Sequence, residues 1–316
     1  MIQHQYKTLL VGTSEFAAEV FLHLLKQNYL VVKGLVTQPD KYIGRKHQLD
    51  SPPAKKAFID KGIHIFQPIK FREKYKEILD IVNPDLIIVC AYGKILPKEF
   101  IEFPKYKSLN IHASLLPELR GATPVQSAIL KNFDRTGITI QVMNEGMDEG
   151  DIVSSKSIGL DKDITTPELF QRLIPLIIKL LDETLPEYLQ GGIIPVPQVG
   201  NISYCYVADF SYEKGQIDWK LGVEEISAKV RAFNPEPGAW VDGLRVYKTT
   251  ENIIDKKLKI HSVEVYTQEV GGNYKVGDVV VIDRELLVRC SNGWLKIVTI
   301  QKEGGKRSLN GSGRSH

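Results

Sequence analysis

Cysteine is scarce in this sequence of 316 residues, which contains only Cys90, Cys205 and Cys290. Their odd number and wide spacing argue against a disulfide framework and are typical of a reducing compartment. No Cys/His cluster has metal-ligand spacing, so we predict no structural metal. No apolar run reaches the roughly 18 residues of a membrane helix, and the first residues show no signal-peptide pattern. We therefore expect a cytoplasmic protein that does not contact a membrane.

An excess of one charge is also missing, because 41 Lys and Arg face 38 Asp and Glu, which gives a net charge of +3. A balance of this kind does not by itself indicate a nucleic-acid-binding protein, so any such contact must rest on local basic patches. The composition that is present, with 43% hydrophobic and 25% charged residues, is that of an ordinary globular protein. The length predicts about two domains.

Strand and helix patterns alternate along the first half of the chain. Strand patterns cover 8–12, 30–37, 63–66, 85–91, the segment around 110, 137–143 and 151–158, and helix patterns cover 17–27, 54–61, 71–82, 123–131 and 166–190. The run at 85–91 is apolar throughout, which is typical of a buried parallel strand. Repeated strand–helix units predict an α/β fold with a Rossmann-like, mostly parallel sheet and helices on both of its faces.

The texture of the sequence changes near Gln190, where a Pro- and Gly-rich segment begins. It predicts a linker over 191–206 between a first domain of residues 1–190 and a second domain of residues 207–316. Strand patterns in the second domain cover 240–241, 244–247, 257–266, 279–282, 286–290 and 294–300, with one helix pattern at 223–233. Short strands at near-regular spacing predict a small β-barrel. The Gly- and Ser-rich tail from residue 304 is expected to be disordered.

Asn110 and His112 form the most informative pattern in the chain. Residues two apart on a strand share one face, so an amide donor and an imidazole would lie side by side at the carboxyl end of this strand. Acyl transfer needs such a pair to polarise a carbonyl and to accept a proton. Asp148, in an acidic loop flanked by glycines, fits a solvated turn when taken alone. As a partner of His112 it would fix the tautomer of the imidazole.

Four other segments allow two interpretations each. Gly12 ends the first strand outside a G-x-G-x-x-G pattern, so it is more often structural than phosphate-binding, and we predict no dinucleotide. The loop at 91–97, which follows a buried strand, is either an ordinary turn or a ligand loop, and its position beside the Asn110 strand favours a ligand. Arg120 either anchors structure or binds an anion. The basic segment 41–48 is either a solvated loop or a functional excursion.

Taken together, these segments resemble the formyltransferase family, whose members use 10-formyltetrahydrofolate. The family pattern is an Asn-x-His strand, a Ser-Leu-Leu-Pro turn, an Arg-Gly-x-x-Pro helix start and an Asp in a Gly-flanked loop. It occurs here at Asn110–His112, Ser114–Pro117, Arg120–Pro124 and Asp148. Formyltransferases that act on sugar amines share the Asn, His and Asp, so these residues indicate the reaction more than the acceptor.

Further matches resemble the branch of the family that formylates methionyl-initiator tRNA. Thr37–Asp40 precedes the basic loop, where that branch carries an insertion that contacts the acceptor arm. Ala232–Pro235 lies at the start of an OB-like C-terminal domain that contacts tRNA in the family. The insertion reads Gly44–His47 where Gly-Arg-Gly is more common, and Glu118 stands where a basic residue is usual. These departures concern tRNA docking rather than the chemistry.

The resemblance implies three sets of site residues. The catalytic set is Asn110, His112 and Asp148; the folate-binding set is Tyr92, Gly93, Ile95, Leu96, Pro97, Ser114, Leu115, Leu116 and Pro117; the tRNA-binding set is Lys41, Arg45, Lys46, Lys229, Arg231 and Lys248. It also implies 10-formyltetrahydrofolate as formyl donor, no metal, and a monomer. The alternative is a formyltransferase acting on a sugar-nucleotide amine. A non-catalytic folate- or RNA-binding module is disfavoured because the catalytic set is complete.

Overall fold

The computed structural model describes residues 4–43, 47–245, 252–254, 257–302, 305 and 307–309. The chain divides into two compact units. The first unit comprises Met1–Pro124, Arg135–Ile158 and Phe170–Cys205, and the second comprises Val125–Asp134, Gly159–Leu169 and Tyr206–His316. Two short segments that precede residue 206 thus belong to the second unit.

Residues up to Cys205 alternate between strands and helices, as the sequence predicts. The elements are β1 (Tyr6–Gly12), α1 (Glu15–Leu24), β2 (Leu30–Val36), β3 (Lys41–Ile43), β4 (Gln48–Asp50), α2 (Pro53–Phe58), β5 (His64–Phe66), α3 (Phe71–Val82), β6 (Leu86–Cys90), α4 (Lys98–Ile101), β7 (Ser108–His112), β8 (Arg120–Gly121), α5 (Pro124–Leu130), β9 (Arg135–Val142), β10 (Ile152–Gly159), α6 (Thr166–Leu189) and β11 (Tyr204–Cys205). The short strands β3, β4, β8 and β11 and the four-residue helix α4 have no periodic pattern in the sequence, and the sequence does not predict them.

A seven-stranded sheet forms the centre of the first unit, with the order β10-β9-β7-β6-β1-β2-β5. Strands β1, β2, β5, β6 and β7 run parallel, and β9 pairs antiparallel with β7. All five residues of β6 are buried, as expected for a central parallel strand covered on both faces. The prediction of a mostly parallel sheet is therefore confirmed.

Strand β9 carries an alternation of polar and apolar residues that does not mark a solvent-exposed face. Thr139 is 0% exposed and Gln141 is 2% exposed, so the polar residues of the alternation are buried. In the register with β7, Gln141 lies opposite Asn110 and Thr139 lies opposite His112. The polar positions of β9 thus accompany the polar positions of β7, and this pairing creates a buried polar site inside the sheet.

The second unit contains an antiparallel sheet in the order β12-β15-β18-β17-β16, with β19 paired to β18. Its elements are α7 (Val223–Phe233), β12 (Ala239–Val241), β13 (Leu244–Arg245), β14 (Asn252–Ile254), β15 (Leu258–Tyr266), β16 (Val279–Ile282), β17 (Glu285–Arg289), β18 (Trp294–Lys302) and β19 (Arg307–Leu309). The expectation of disorder was wrong for Arg307–Leu309, because these residues pair with β18. Among the described helices, none has the length and apolar character needed to cross a membrane.

Candidate active site

The predicted catalytic pair lies at the carboxyl edge of the central sheet. His112 is the last residue of β7 and Asn110 lies two residues before it. Strand β6 pairs parallel with β7, so the loop that follows β6 begins at the same edge. Loops beyond the carboxyl ends of parallel strands are the usual ligand sites of open α/β sheets. The structure thus brings together the two segments that carry most of the predicted site.

Asp148 is held by three N–H donors within the first unit. The Asn110 side chain donates to Oδ1 over 3.1 Å, and the Gln141 side chain donates to the same oxygen over 2.9 Å. The backbone N–H of Gly121 donates to Oδ2 over 2.8 Å. Since both carboxylate oxygens are engaged by groups from three different segments, the orientation of this carboxylate is fixed.

His112 lies beside the same carboxylate and is 5% exposed. Its Nε2 is 2.9 Å from the carbonyl oxygen of Leu119. A carbonyl can only accept, so Nε2 carries the hydrogen of this bond and the neutral ring has its lone pair on Nδ1. Nδ1 lies 3.6 Å from Asp148 Oδ1, which is close for an ion pair but long for a hydrogen bond. Nδ1 is therefore the ring atom available to exchange a proton next to a carboxylate.

Gly150, one of the two glycines that flank Asp148, is required by the space around it. A Cβ on Gly150 would lie 1.6 Å from the carbonyl oxygen of Val142, where no side chain fits. Asp148 itself has a φ of +53°, which a non-glycine residue adopts only at a cost. The Gly-flanked loop is therefore a tight structure pressed against β9 rather than a loose acidic turn.

Gly121 links this loop to the strap at residues 194–205, which we define as the extended segment after α6. Strand β8, which contains Gly121, pairs parallel with β11 of the strap, and the backbone N–H of Gly121 donates a hydrogen bond to Asp148. The φ of Gly121 is +117°, and a Cβ there would lie 2.2 Å from the carbonyl oxygen of Cys205. The Arg-Gly pair of the sequence pattern thus provides a backbone donor at a position where only glycine fits.

Replacement of Gly121 by Ala is expected to lower the free energy of unfolding by at least about 1–3 kcal/mol, the usual cost of such a backbone conformation. The clash with Cys205 adds to this cost. Thermal or urea unfolding of the two proteins measures the difference. The matched control is Gly159→Ala, because Gly159 lies in β10 and its Cβ would meet no described atom within 4 Å. Equal stability of Gly121→Ala and wild type would contradict the assigned role of Gly121.

Arg120 is held by side chains of the first unit. It is 7% exposed, and its guanidinium donates to the side-chain oxygen of Gln198 from Nε over 3.1 Å and from Nη2 over 2.8 Å. Nη1 lies 3.5 Å from a carboxylate oxygen of Glu149. Of the two interpretations that the sequence leaves open for Arg120, these contacts favour the structural one.

Within the loop after β6, Tyr92 and Ile95 have opposite environments. The Tyr92 ring is 3% exposed and packs edge-on against Phe71, and burial raises the pKa of its phenol to about 12. The backbone carbonyl of Tyr92 accepts from Gln38 Nε2 over 2.9 Å. Ile95, in contrast, is 85% exposed. The loop therefore presents an aliphatic side chain and backbone groups, while the Tyr92 phenol belongs to the core.

The turn at Ser114–Pro117 is held from β9. Thr139 Oγ1 donates to the carbonyl of Ser114 over 2.7 Å and accepts from the backbone N–H of Leu116 over 3.1 Å. The hydroxyl of Ser114 donates to the carbonyl of Glu118 over 2.6 Å. The Ser114 hydroxyl is thus used within the turn, and Leu115 is the half-buried member of this set.

The predicted tRNA-binding residues fall into three groups. Lys41 is exposed in β3, where its Nζ donates to the side chain of Gln38. Lys229 and Arg231 are half-buried: Lys229 Nζ donates to the carbonyl of Gln216 over 3.0 Å, and burial lowers the pKa of both groups. Arg231 donates to the carbonyl of Ile164 and to the side chain of Asn132. Arg45, Lys46 and Lys248 lie outside the described residues.

Two glutamines of the site were not found from the sequence. Gln141 donates to Asp148. The sequence shows only a polar residue in a strand, and its place opposite Asn110 becomes evident once the strand register is known. Gln198 donates to the carbonyls of Asp148 and Gly150, and it lies in the Pro- and Gly-rich segment that predicts only a linker. Both contacts join segments that are distant in the sequence, so no local sequence pattern predicts them.

Comparison with known proteins identifies the family. The family model "Formyl transferase" matches residues 6–185, and "Formyl transferase, C-terminal domain" matches residues 210–311. The methionyl-tRNA formyltransferase of Caldicellulosiruptor saccharolyticus is 37% identical over 300 residues, which cover 94% of this chain and 92% of that protein. That of Caldanaerobacter subterraneus is 36% identical over 305 residues, which cover 95% of this chain and 94% of that protein.

A solved structure shares the fold at low sequence identity. HypX from Aquifex aeolicus in complex with tetrahydrofolic acid superposes with a TM-score of 0.65 at 16% identity, over 97% of this chain and 46% of HypX. This likeness supports the fold alone, whereas the sequence matches extend over both units with well over 30% identity. The chain therefore belongs to the formyltransferase family, and within that family to the methionyl-tRNA formyltransferases.

Proposed function

We propose that this chain is an enzyme that transfers the formyl group of 10-formyltetrahydrofolate to the free amino group of methionyl-initiator tRNA for translation initiation. The observation that carries the proposal is the meeting of Asn110, His112 and Asp148 at the edge of a formyltransferase sheet. Relatives that match nearly the whole chain carry the name of this activity. The alternative, a sugar-nucleotide amine as acceptor, is not favoured by these relatives.

The roles of the catalytic residues follow from their geometry. The amine must lose a proton as its nitrogen bonds to the formyl carbon, and His112 Nδ1 is the base that accepts it. Asp148, beside Nδ1, stabilises the imidazolium that forms. When the bond from the formyl carbon to the donor nitrogen N10 breaks, His112 returns the proton to N10. The products are formylmethionyl-tRNA and tetrahydrofolate.

Asn110 acts on the formyl oxygen, which gains negative charge during the transfer. One hydrogen of its amide nitrogen is used by Asp148, and the second is free to donate to this oxygen. Because the same amide touches Asp148 and the substrate, the base and the oxygen-binding donor keep a fixed separation.

The folate donor is proposed to bind the loop that follows β6. It supplies an activated formyl group, and its flat rings need apolar contacts together with backbone hydrogen bonds. Ile95 offers an exposed aliphatic side chain, and Gly93 is exposed in the same loop. The turn at Ser114–Pro117 follows β7, the strand that pairs parallel with β6. The proposed binding set remains the one inferred from the sequence.

The domain assignment and the cellular setting belong to the same proposal. Residues 1–190 form the catalytic domain, 191–206 the linker and 207–316 an OB-like domain that binds tRNA. A monomer is proposed because a single chain supplies all three catalytic residues. Cytoplasmic location is supported by the buried thiols of Cys90, Cys205 and Cys290.

The direct test is a formyl-transfer assay with the purified chain and 10-formyltetrahydrofolate. Methionyl-initiator tRNA and an amino-sugar nucleotide are offered separately, and the formylated product of each is quantified. The proposal expects rapid formylation of the tRNA and at most background formylation of the sugar. Rapid formylation of the sugar with an inert tRNA would replace the proposed acceptor.

Binding of tRNA is expected to depend on phosphate contacts of the basic insertion. The double variant Arg45→Ala/Lys46→Ala should weaken tRNA binding and reduce the slope of log K against log salt by about one per lost contact. Filter binding between 50 and 200 mM salt, a range chosen for its strong effect on phosphate contacts, measures the slope. Lys74→Ala is the control, since Lys74 pairs with Glu77 on the surface of α3. An unchanged slope would remove the insertion from the contact surface.

A further inference from the structure

Gln198 is a half-buried polar residue in an otherwise exposed part of the strap. Its neighbour Val199 is 89% exposed and Ile194 is 82% exposed, so the apolar side chains of this segment face solvent. Gln198 instead points its amide toward the loop that carries Asp148. This inversion of the usual preference indicates a specific role for the amide.

The amide nitrogen of Gln198 forms two hydrogen bonds with the backbone of the loop that carries Asp148. It donates to the carbonyl of Asp148 over 2.8 Å and to the carbonyl of Gly150 over 2.8 Å. These carbonyls flank the backbone of Glu149, and Asp148 is the residue with the strained φ of +53°. The two bonds therefore act on the strained part of the loop itself.

The amide oxygen of Gln198 is fixed by Arg120. The guanidinium donates to it from two nitrogens, which determines the position and the plane of the amide. Arg120 precedes Gly121, whose N–H donates to the Asp148 carboxylate. Arg120 and Gly121 form the two-residue strand β8. This strand therefore holds the side chain of Asp148 directly, through Gly121, and its backbone indirectly, through Arg120 and Gln198.

We infer that Gln198 is a positioning residue that holds Asp148 against His112 for the transfer step. It touches neither the reacting atoms nor the carboxylate, and it acts through the backbone of Asp148. The inference rests on the proposed function, because it concerns His112 and Asp148, the residues that accept the proton in that reaction. Displacement of a catalytic group by about 1 Å can cost on the order of 10²-fold in rate, so a small relaxation of this loop has a measurable effect.

Attachment of the strap does not depend on Gln198. The backbones of Val196 and Ile152 exchange two hydrogen bonds, of 2.9 and 2.7 Å. Ser203 accepts from the backbone N–H of Leu119 through its hydroxyl and from that of Arg120 through its carbonyl. Removal of the Gln198 amide therefore leaves the strap bound on both sides, and the contacts that are lost are those to the Asp148 loop, to Arg120 and to Gln141.

The test compares Gln198→Met, which keeps the length of the side chain and removes the amide, with Gln198→Glu. The glutamate keeps an acceptor for Arg120 and lacks the N–H groups that bind Asp148 and Gly150. Single-turnover formyl transfer to methionyl-tRNA is measured together with the KM values of both substrates. Both variants are expected to lose about 10- to 100-fold in kcat, with KM values within about twofold of wild type.

Hydrogen exchange gives a second readout that needs no substrate. In Gln198→Met, the amides of residues 144–151 are expected to exchange about tenfold faster, while those of β6 and β7 stay protected. The control is Gln5→Met, which removes a glutamine whose amide also donates to a backbone carbonyl, that of Asn28, at the opposite edge of the sheet. This control should match wild type in kcat and in exchange of the loop.

Three results would overturn the inference: a kcat of Gln198→Met within twofold of wild type, full rescue by Gln198→Glu, or unchanged exchange in residues 144–151. Rescue by glutamate would mean that the amide serves Arg120 alone. Failure of the proposed function would be seen differently, as a wild-type chain that does not formylate methionyl-tRNA. In that case the exchange experiment still decides whether Gln198 holds the Asp148 loop.

Discussion

An Asp148→Asn variant is expected to lose about 10²- to 10⁴-fold in kcat, with little change in the KM for the folate. The amide that replaces the carboxylate carries no charge, so the imidazolium of His112 loses the partner that lies 3.6 Å away. One end of the amide must also present N–H groups to a donor, either Gly121 on one side or Asn110 and Gln141 on the other. Steady-state kinetics with methionyl-tRNA at saturating folate measures the loss.

Asp151→Asn is the matched control for this variant. Asp151 lies three residues further along the chain, is exposed, and contributes its backbone carbonyl to Val142. The same loss of charge there should leave kcat nearly unchanged. A comparable loss in both variants would indicate a general electrostatic effect of the acidic loop, and a near-normal Asp148→Asn would remove Asp148 from the scheme.

Coupling between His112 and Asp148 is tested by combining two substitutions. If the two residues act as one unit, the double variant His112→Gln/Asp148→Asn should be little slower than the slower single variant. Independent roles would instead give losses that multiply. The contact of Nε2 with Leu119 belongs to His112 alone, so His112→Gln is expected to be the slower of the two single variants.

The fold could be predicted to a large extent because its signals are local. The continuous apolar run of β6 and the amphipathic pattern of α3 each lie within one segment. Each pattern predicts the strand or helix that the structure has there. Strands β8 and β11 could not be predicted, because each has only two residues and exists only through its pairing with the other. The same holds for β19, where a glycine-rich sequence masks a short strand that pairs with β18.

The site was predictable only in part, for a related reason. Asn110 and His112 share one strand, so their spacing could be read directly from the sequence. Asp148 lies far from them in the sequence, so only the family resemblance implied its place beside them, and the structure brings its Oδ1 to 3.1 Å from the Asn110 amide nitrogen. Gln141 and Gln198 depend on strand register and on a strap without periodicity, so physical contact alone reveals them.

Asn110→Leu is expected to lower kcat by about 10²- to 10³-fold, equivalent to about 2.7–4 kcal/mol, which is the usual effect of removing one donor to a developing oxyanion. Leucine has the same number of side-chain non-hydrogen atoms and the same branching, and it suits a half-buried strand position, so β7 should still pair with β6 and β9. The substitution removes two contributions, namely the bond to Asp148 Oδ1 and the free N–H that faces the substrate.

Gln141→Met separates these two contributions. Gln141 donates to the same oxygen of Asp148 over 2.9 Å, and Asn110 donates over 3.1 Å. The side-chain amides of these two residues therefore hold the carboxylate about equally. If Asn110 also donates to the formyl oxygen, its removal must cost much more than that of Gln141, because only Asn110 then loses a bond to the substrate. Equal losses in Asn110→Leu and Gln141→Met would limit Asn110 to holding Asp148. The oxygen-binding donor would then have to come from His112, whose Nδ1 gains a hydrogen once it has accepted the proton of the amine.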